Sequence, residues 1–252
     1  MSHNLCPDKT EPRGITFQPD IYPKVLSLLP PAPARVLDVG AGEGFLCRQL
    51  CGRGYQVEAC DFLHENFKLK DVPFHKADLN ISVPLPDNQY DVVVSIEVLE
   101  HIENHVRFIR ELMRVLKPGG MIILTTPNIL SLPSRWHFFL YGYTDCAPRP
   151  LDPTLDAYYM QHINPIGMDQ IQFLVERFGG EISDLATNRI RRSAWLPYLL
   201  HKPFLALWLR GKLIRKEYRS LQPLYRRNIH WMLHRTNLMG RITIAVGRKK
   251  SA

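Results

Sequence analysis

The chain has 252 residues, 45% of them apolar and 22% charged, with a formal net charge of +8. Those values exclude a disordered or fibrous polypeptide and allow one sizeable core. The cysteines (Cys6, Cys47, Cys51, Cys60, Cys146) are odd in number, and no second pair matches the spacing of Cys47 and Cys51, which argues against a disulfide framework or a zinc site. Residues 1–20 are polar and lack the apolar segment of a secretion signal, so reduced thiols in a cytoplasmic protein are expected.

In chain order, residues 1–33 form a proline-containing segment, a lid over the ligand or a loose arm, that precedes the first strong pattern. A short apolar strand, Val36, Leu37 and Val39, carries Asp38 near its end. It breaks into Gly40-Ala41-Gly42-Glu43-Gly44 and enters a helix over residues 45–50. Glycines allow a sharp turn and a close backbone approach to a ligand. Phe45 stands where a dinucleotide fingerprint needs its third glycine, and Asp38 would repel a pyrophosphate while attracting a cation. The pattern therefore predicts a nucleoside ligand that carries positive charge.

A second strand, Val57 to Asp61, ends in an acid where wound α/β folds bind ribose hydroxyls. A third, near Phe74 to Ala77, ends at Asp78-Leu79, where a carboxylate suits an adenine amino group. A fourth, Tyr90 to Ile96, ends at Glu97. A helix over about 103–116, the turn Lys117-Pro118-Gly119-Gly120 and a fifth strand, Met121 to Thr125, follow. Acids thus fall at four successive strand ends, on the edge where open α/β sheets bind ligands. A sixth strand is expected over Glu181 to Ala186 and a seventh over Arg241 to Val246.

These motifs (VLDVGAGEG, the acid of ACDF, KADL, YDVVVSIEVLEHIEN and LKPGGMIILTTPN) resemble the class I S-adenosylmethionine-dependent methyltransferases. The resemblance covers about residues 34–187 and the last strand. It implies an α/β, Rossmann-like seven-stranded methyltransferase sheet with helices on both faces, forming one domain over 34–252. It further implies S-adenosylmethionine as cofactor and S-adenosylhomocysteine as product. Asp38, Gly40, Ala41 and Gly42 would face the amino-acid part of the cofactor; Asp61 and Phe62 would lie at the ribose, Asp78 and Leu79 at the adenine, and Ile96 and Glu97 at the methionine end.

Two insertions interrupt that domain. The first, about 128–165, follows the fifth strand and holds Trp136, Phe138, Phe139, Tyr141 and Tyr143, which suit stacking on a sugar or aromatic ring or simply filling a cap over the acceptor site. The second, 189–238, sets twelve Lys or Arg against one acid, Glu217, and is interleaved with aromatic residues. Ala194 to Leu209 is too short to span a membrane and is interrupted by His201-Lys202-Pro203, while from Phe204 onward apolar positions 204, 207, 208, 214, 218, 221 and 225 follow a helical period. An element lying on an anionic membrane, a cap with a solvated basic face, and a nucleic-acid surface all fit this composition, with nucleic acid placed last.

Methyl transfer to a hydroxyl needs alignment and a base. The candidates are His101, His162, Glu97 and Glu100; histidine titrates near neutrality and suits the role, and His162 comes first because it sits in the inserted cap. The run Glu97-Val98-Leu99-Glu100-His101 with His162 also resembles the metal-ligand set of the small-RNA 3′-end 2′-O-methyltransferases, which implies Glu97, Glu100, His101 and His162 as ligands. E-x-x-E-H occurs equally in the ubiquinone-pathway O-methyltransferases. TTPNILSLPSRWHFFLYG and QHINPIGMDQ resemble bacterial methyltransferases of surface-polysaccharide and lipopolysaccharide assembly. That resemblance implies O-methylation of a sugar hydroxyl on a small-molecule or lipid-linked glycan acceptor, by a peripheral enzyme at the inner face of the membrane. A quinone precursor or RNA as acceptor, and a non-catalytic cofactor-binding module, are the alternatives.

Overall fold

The computed structural model describes residues 20–144, 151–154, 160–214 and 222–251. Seven strands form one sheet: β1 (Arg35–Val39), β2 (Gln56–Asp61), β3 (Phe74–Lys76), β4 (Tyr90–Ser95), β5 (Leu116–Pro127), β6 (Gly180–Ala186) and β7 (Ile242–Lys249). Their spatial order is β3-β2-β1-β4-β5-β7-β6, with β7 antiparallel to both neighbours and the other pairs parallel. Strand order reverses between β1 and β4, so a crevice opens at the carboxyl ends of those strands.

Central parallel strands are covered on both faces and read as near-continuous apolar runs. Here alternate residues feed two cores. Leu37, Val39 and Val93 enter one, with Phe108, Ile109 and Leu112 of α3 (His105–Val115) and Ile171 and Val175 of α5 (Met168–Arg177). Val36, Val92 and Val94 enter the other, with Ile21 and Val25 of α1 (Ile21–Leu26) and Leu46 and Leu50 of α2 (Phe45–Cys51). The Asn104 side chain caps α3 by accepting from the Arg107 amide at 2.9 Å. Gly44 takes a left-handed conformation, φ 85°, at the N-cap of α2.

Strand positions, and those of the helices packed on the sheet, follow the sequence pattern within a few residues, with one informative difference in β5. Lys117-Pro118-Gly119-Gly120, expected as a turn before the fifth strand, lies inside β5. The register jumps from Tyr90↔Leu116 to Val92↔Met121, so the four residues bulge from a continuous strand. A proline and a φ of 77° at Gly119 fit a bulge as well as a turn.

The insertions dock through a third, smaller cluster. It joins Leu132 of α4 (Leu132–Tyr141), Ala194, and Leu238 and Met239 of α8 (Arg235–Met239), with Tyr198 and Leu205 of α6 (Trp195–Ile214) against it. α7 spans Gln222–Leu233. The helix expected to start at 204 instead begins at Trp195 and runs through Pro203. The loss of one backbone bond at that proline is outweighed by the burial of Tyr198 and Leu205 on either side of it. Residues 215–221 of the expected basic helix lie outside the described residues, as do residues 1–19 of the N-terminal segment.

Asn128 ties this cluster to the sheet. Buried just past β5, its side chain donates to the carbonyls of Asn237 at 2.9 Å and Gly240 at 3.0 Å and accepts from the Leu130 amide. Asn128→Ala strands those carbonyls and should cost ~1–3 kcal/mol. Urea unfolding monitored by circular dichroism checks this, and an unchanged midpoint would contradict the tie.

Candidate functional site

The glycine loop after β1 forms the floor of the crevice. Gly40 and Gly42 adopt φ of 80° and 53°. A Cβ on Gly40 would stand 2.1 Å from Cγ2 of Val98, so no larger residue fits between this loop and the segment after β4. The amides of Gly40 and Ala41 donate to the Cys60 carbonyl, which fixes the loop against β2.

Asp38 is buried, and its near partner is the Cys47 thiol, which donates to Oδ2 at 3.2 Å. Burial pushes its carboxyl up to about 7, with Asp61 adding repulsion and the thiol opposing. Asp61 accepts from the Gly42 amide at 2.8 Å and the Leu63 amide at 3.2 Å. A carboxylate has about four acceptor sites, so both bonds leave capacity for a ribose diol. Phe62 beside it is exposed. Asp78 is half-buried and accepts from the Asn80 amide at 2.9 Å, while Leu79 is buried beneath it. Ile96 packs on the α2 side of the sheet.

Glu97 takes the left-handed conformation, φ 54°, which is strained for a residue with a Cβ and concentrates at functional sites. Its amide donates to Thr125 Oγ1 at 2.9 Å, and that hydroxyl donates back to Oε1 at 3.0 Å. Burial pushes the Glu97 carboxyl up to about 7, against the pull of the Thr125 hydroxyl. Sequence reasoning missed Tyr22 of α1. This half-buried phenol is pushed up first by burial and then by the charges of Asp38 and Glu97, so it lies over the same acids. Its ring sits 4.5 Å from that of Phe45 at the start of α2.

The candidate catalytic residues come together from distant segments. Glu100 Oε2 accepts from the Thr126 hydroxyl at 3.1 Å. Its buried Oε1 has no hydrogen-bond partner among the described residues, and His162 Nε2 stands 3.9 Å away. Burial, reinforced by Glu97, drives the Glu100 carboxyl well above its ordinary range. His101 Nδ1 meets the Gln161 carbonyl at 3.0 Å, and the His101 and His162 rings lie 5.0 Å apart, edge to face. Asn164 holds the loop in place: its amide donates to the Glu100 carbonyl and its side chain to that of Ile102.

Ligand atoms of Glu100, His101 and His162 all lie within 4.8 Å of one another. Of the four metal ligands that the sequence suggested, three converge. Glu97, whose Oε1 accepts from the Thr125 hydroxyl, is not among the three. The inserted aromatics Trp136, Phe138, Phe139, Tyr141 and Tyr143 are exposed. Cys47, Cys51 and Cys60 are free thiols.

Residues 37–124 match the family model described as a methyltransferase domain. The chain is 37% identical over 101 residues to the ubiquinone biosynthesis O-methyltransferase of Rickettsia typhi, a stretch that covers 37% of this chain and 41% of that protein. The chain thus spans about two fifths of the length of that curated relative. Among solved structures it resembles an S-adenosylmethionine-dependent methyltransferase of Archaeoglobus fulgidus (TM-score 0.56, 18% identity, 91% of this chain and 93% of that one). It also resembles phosphoethanolamine N-methyltransferase 2 of Haemonchus contortus in complex with S-adenosylmethionine (TM-score 0.53, 16% identity, 92% and 53%). The fold is the Rossmann-like methyltransferase fold, and the cofactor of that class, S-adenosylmethionine, carries a sulfonium and an ammonium that suit the buried acids.

A carboxyl raised from 3.8 to about 7 favours folding below its unfolded value, and that contribution is lost as pH rises through 7. Asp38→Asn removes the penalty in the cofactor-free protein. Its melting temperature should exceed wild type by more at pH 8 than at pH 5, the difference being on the order of 1–3 kcal/mol, or ~2–4 °C per kcal/mol. The same variant should lose cofactor affinity. Differential scanning calorimetry at the two pH values checks the first effect, and equal gains at both would contradict the raised carboxyl.

Proposed function

We propose that this chain, which carries the fold of the S-adenosylmethionine-dependent methyltransferases and a methyltransferase domain over residues 37–124, moves the methyl group of that cofactor to a hydroxyl oxygen. The observation that carries this reading is the convergence of Glu100, His101 and His162 beside the acids of the cofactor crevice.

Transfer from a sulfonium is a displacement at carbon: the acceptor oxygen forms a bond to the methyl carbon as the sulfur–carbon bond breaks. The hydroxyl must lose its proton as charge leaves the oxygen. His162 takes that proton, with the Glu100 Oε1 3.9 Å from Nε2 beside the imidazolium that forms. His101, held by the Gln161 carbonyl, packs edge to face against the His162 ring and limits its orientation.

A second reading has one specific observation in its favour: the Glu100 Oε1 with no bonded partner, grouped with two imidazoles. One carboxylate and two imidazoles suit a divalent transition ion such as manganese or zinc. Such an ion would supply a positive charge that lowers the pKa of the acceptor hydroxyl.

The acceptor follows from the name of the relative. A ubiquinone biosynthesis O-methyltransferase, 37% identical over its matched part, favours the phenolic hydroxyl of a quinone precursor. A sugar hydroxyl on a lipid-linked glycan, the first expectation from sequence, ranks second because its support is the likeness of two sequence stretches.

His162→Ala should lower kcat by ~10²–10⁴ and leave cofactor affinity unchanged. Turnover of a catechol, a polyprenylated quinone precursor and a lipid-linked sugar checks both the role and the acceptor. Full activity in the variant would remove His162 from the mechanism. Loss of wild-type activity with a chelator, restored by manganese or zinc, would select the metal reading, and chelator-insensitive turnover would select the base alone.

A further inference from the structure

A surface helix of a soluble protein ordinarily turns its apolar side inward and its polar side to water. α6 does not. Its inner side places Tyr198 and Leu205 against the small cluster shared with α4 and α8. Leu196, Leu199, Leu200, Phe204 and Leu207 recur at a spacing of three or four residues and form a second apolar stripe, each 61 to 71% exposed. Five large apolar side chains on one face of one helix are far beyond the scattered exposure that needs no explanation.

The helix spans about 30 Å at 1.5 Å per residue, yet no described helix of the chain is long and apolar enough to cross a membrane. Lys202 and Arg210 interrupt it. An element with this pattern lies along an interface rather than through it. Charge identifies the interface. Arg192 and Arg210 are exposed on the same segment, and residues 189–238 as a whole carry twelve Lys or Arg against one acid, while the remainder of the chain is on balance acidic. Anionic headgroups complement that imbalance, each nearby cation adding to the apolar insertion. α4, docked in the same cluster, adds exposed Trp136 and Phe139, stacked at 5.6 Å, of the type that settles at headgroup level.

We propose that the outward face of α6 docks on an anionic phospholipid bilayer, its leucine and phenylalanine stripe entering the headgroup boundary and its arginines meeting the lipid phosphates. This goes beyond the methyl-transfer reading and does not depend on it. It would place the crevice beside a membrane, where amphiphilic acceptors reside.

The full chain is mixed with sedimentable vesicles of phosphatidylcholine alone or with 30 mol% phosphatidylglycerol. Binding to the anionic vesicles should exceed binding to the neutral ones at least tenfold and weaken with salt. Leu196→Ser/Leu200→Ser/Phe204→Ser changes exposed positions only and should keep the wild-type circular dichroism and cofactor affinity while losing vesicle binding at least tenfold. Arg192→Gln/Arg210→Gln should narrow the gap between the two vesicle types. Equal binding by the triple variant and wild type would overturn the proposal. So would absence of vesicle binding accompanied either by a dimer that the triple variant dissociates in sedimentation velocity, or by salt-sensitive RNA binding.

Discussion

Buried carboxyls with no buried cation beside them among the described residues are the constraint around which this structure is arranged. Asp38 and Glu97 are each pushed up to about 7, and burial drives Glu100 well above its ordinary range. Desolvation of a carboxylate is costly unless a cation or a set of donors compensates it. Here the compensation inside the chain is partial: a thiol for Asp38, a threonine hydroxyl each for Glu97 and Glu100. A ligand that carries a sulfonium and an ammonium completes it. The two apolar cores on either side of the sheet supply the stability that lets the acids remain, and the left-handed backbone at Glu97 is held by the same packing.

The rest of the site depends on how distant segments are fastened to that edge. Asn164 anchors the loop that carries His162 to the turn that carries Glu100, and Asn128 anchors α8, and with it the docking cluster of α6, to the end of β5. One side of the crevice is therefore built by the sheet and the other by inserted residues fastened by two amide side chains, the buried Asn128 and the half-buried Asn164. A docking helix tied to the same strand end would carry acceptor capture and methyl transfer on one rigid support.

Much of the edge was legible in sequence because its signals are local. A β-branched run, a glycine that needs φ of 80°, and an acid two residues before it all lie within about ten residues, and four such strand ends in order leave little freedom. The bulge of Lys117 to Gly120 was read as a turn because both need the same residues. Tyr22 carried no signal, since its place over Asp38 and Glu97 comes from packing of α1 on the sheet. The approach of His162 to Glu100, 62 positions apart, was reachable from motif likeness but not from pattern, and the same likeness added Glu97, which Thr125 holds elsewhere. The start of the inserted helix at Trp195 carries no periodic signal, because apolar residues stand on both of its sides, Tyr198 inward and Leu196, Leu199 and Leu200 outward, and a proline follows at 203.

Buried acids in this crevice await a cationic nucleoside, and calorimetric titration with S-adenosylmethionine at pH 6 in buffers of different ionisation enthalpy tests for that complementarity. A carboxyl at about 7 is largely protonated there, so binding of the ammonium should release protons, and Asp38→Asn should reduce that release along with affinity. Tight binding with no proton release, identical in the variant, would contradict the account.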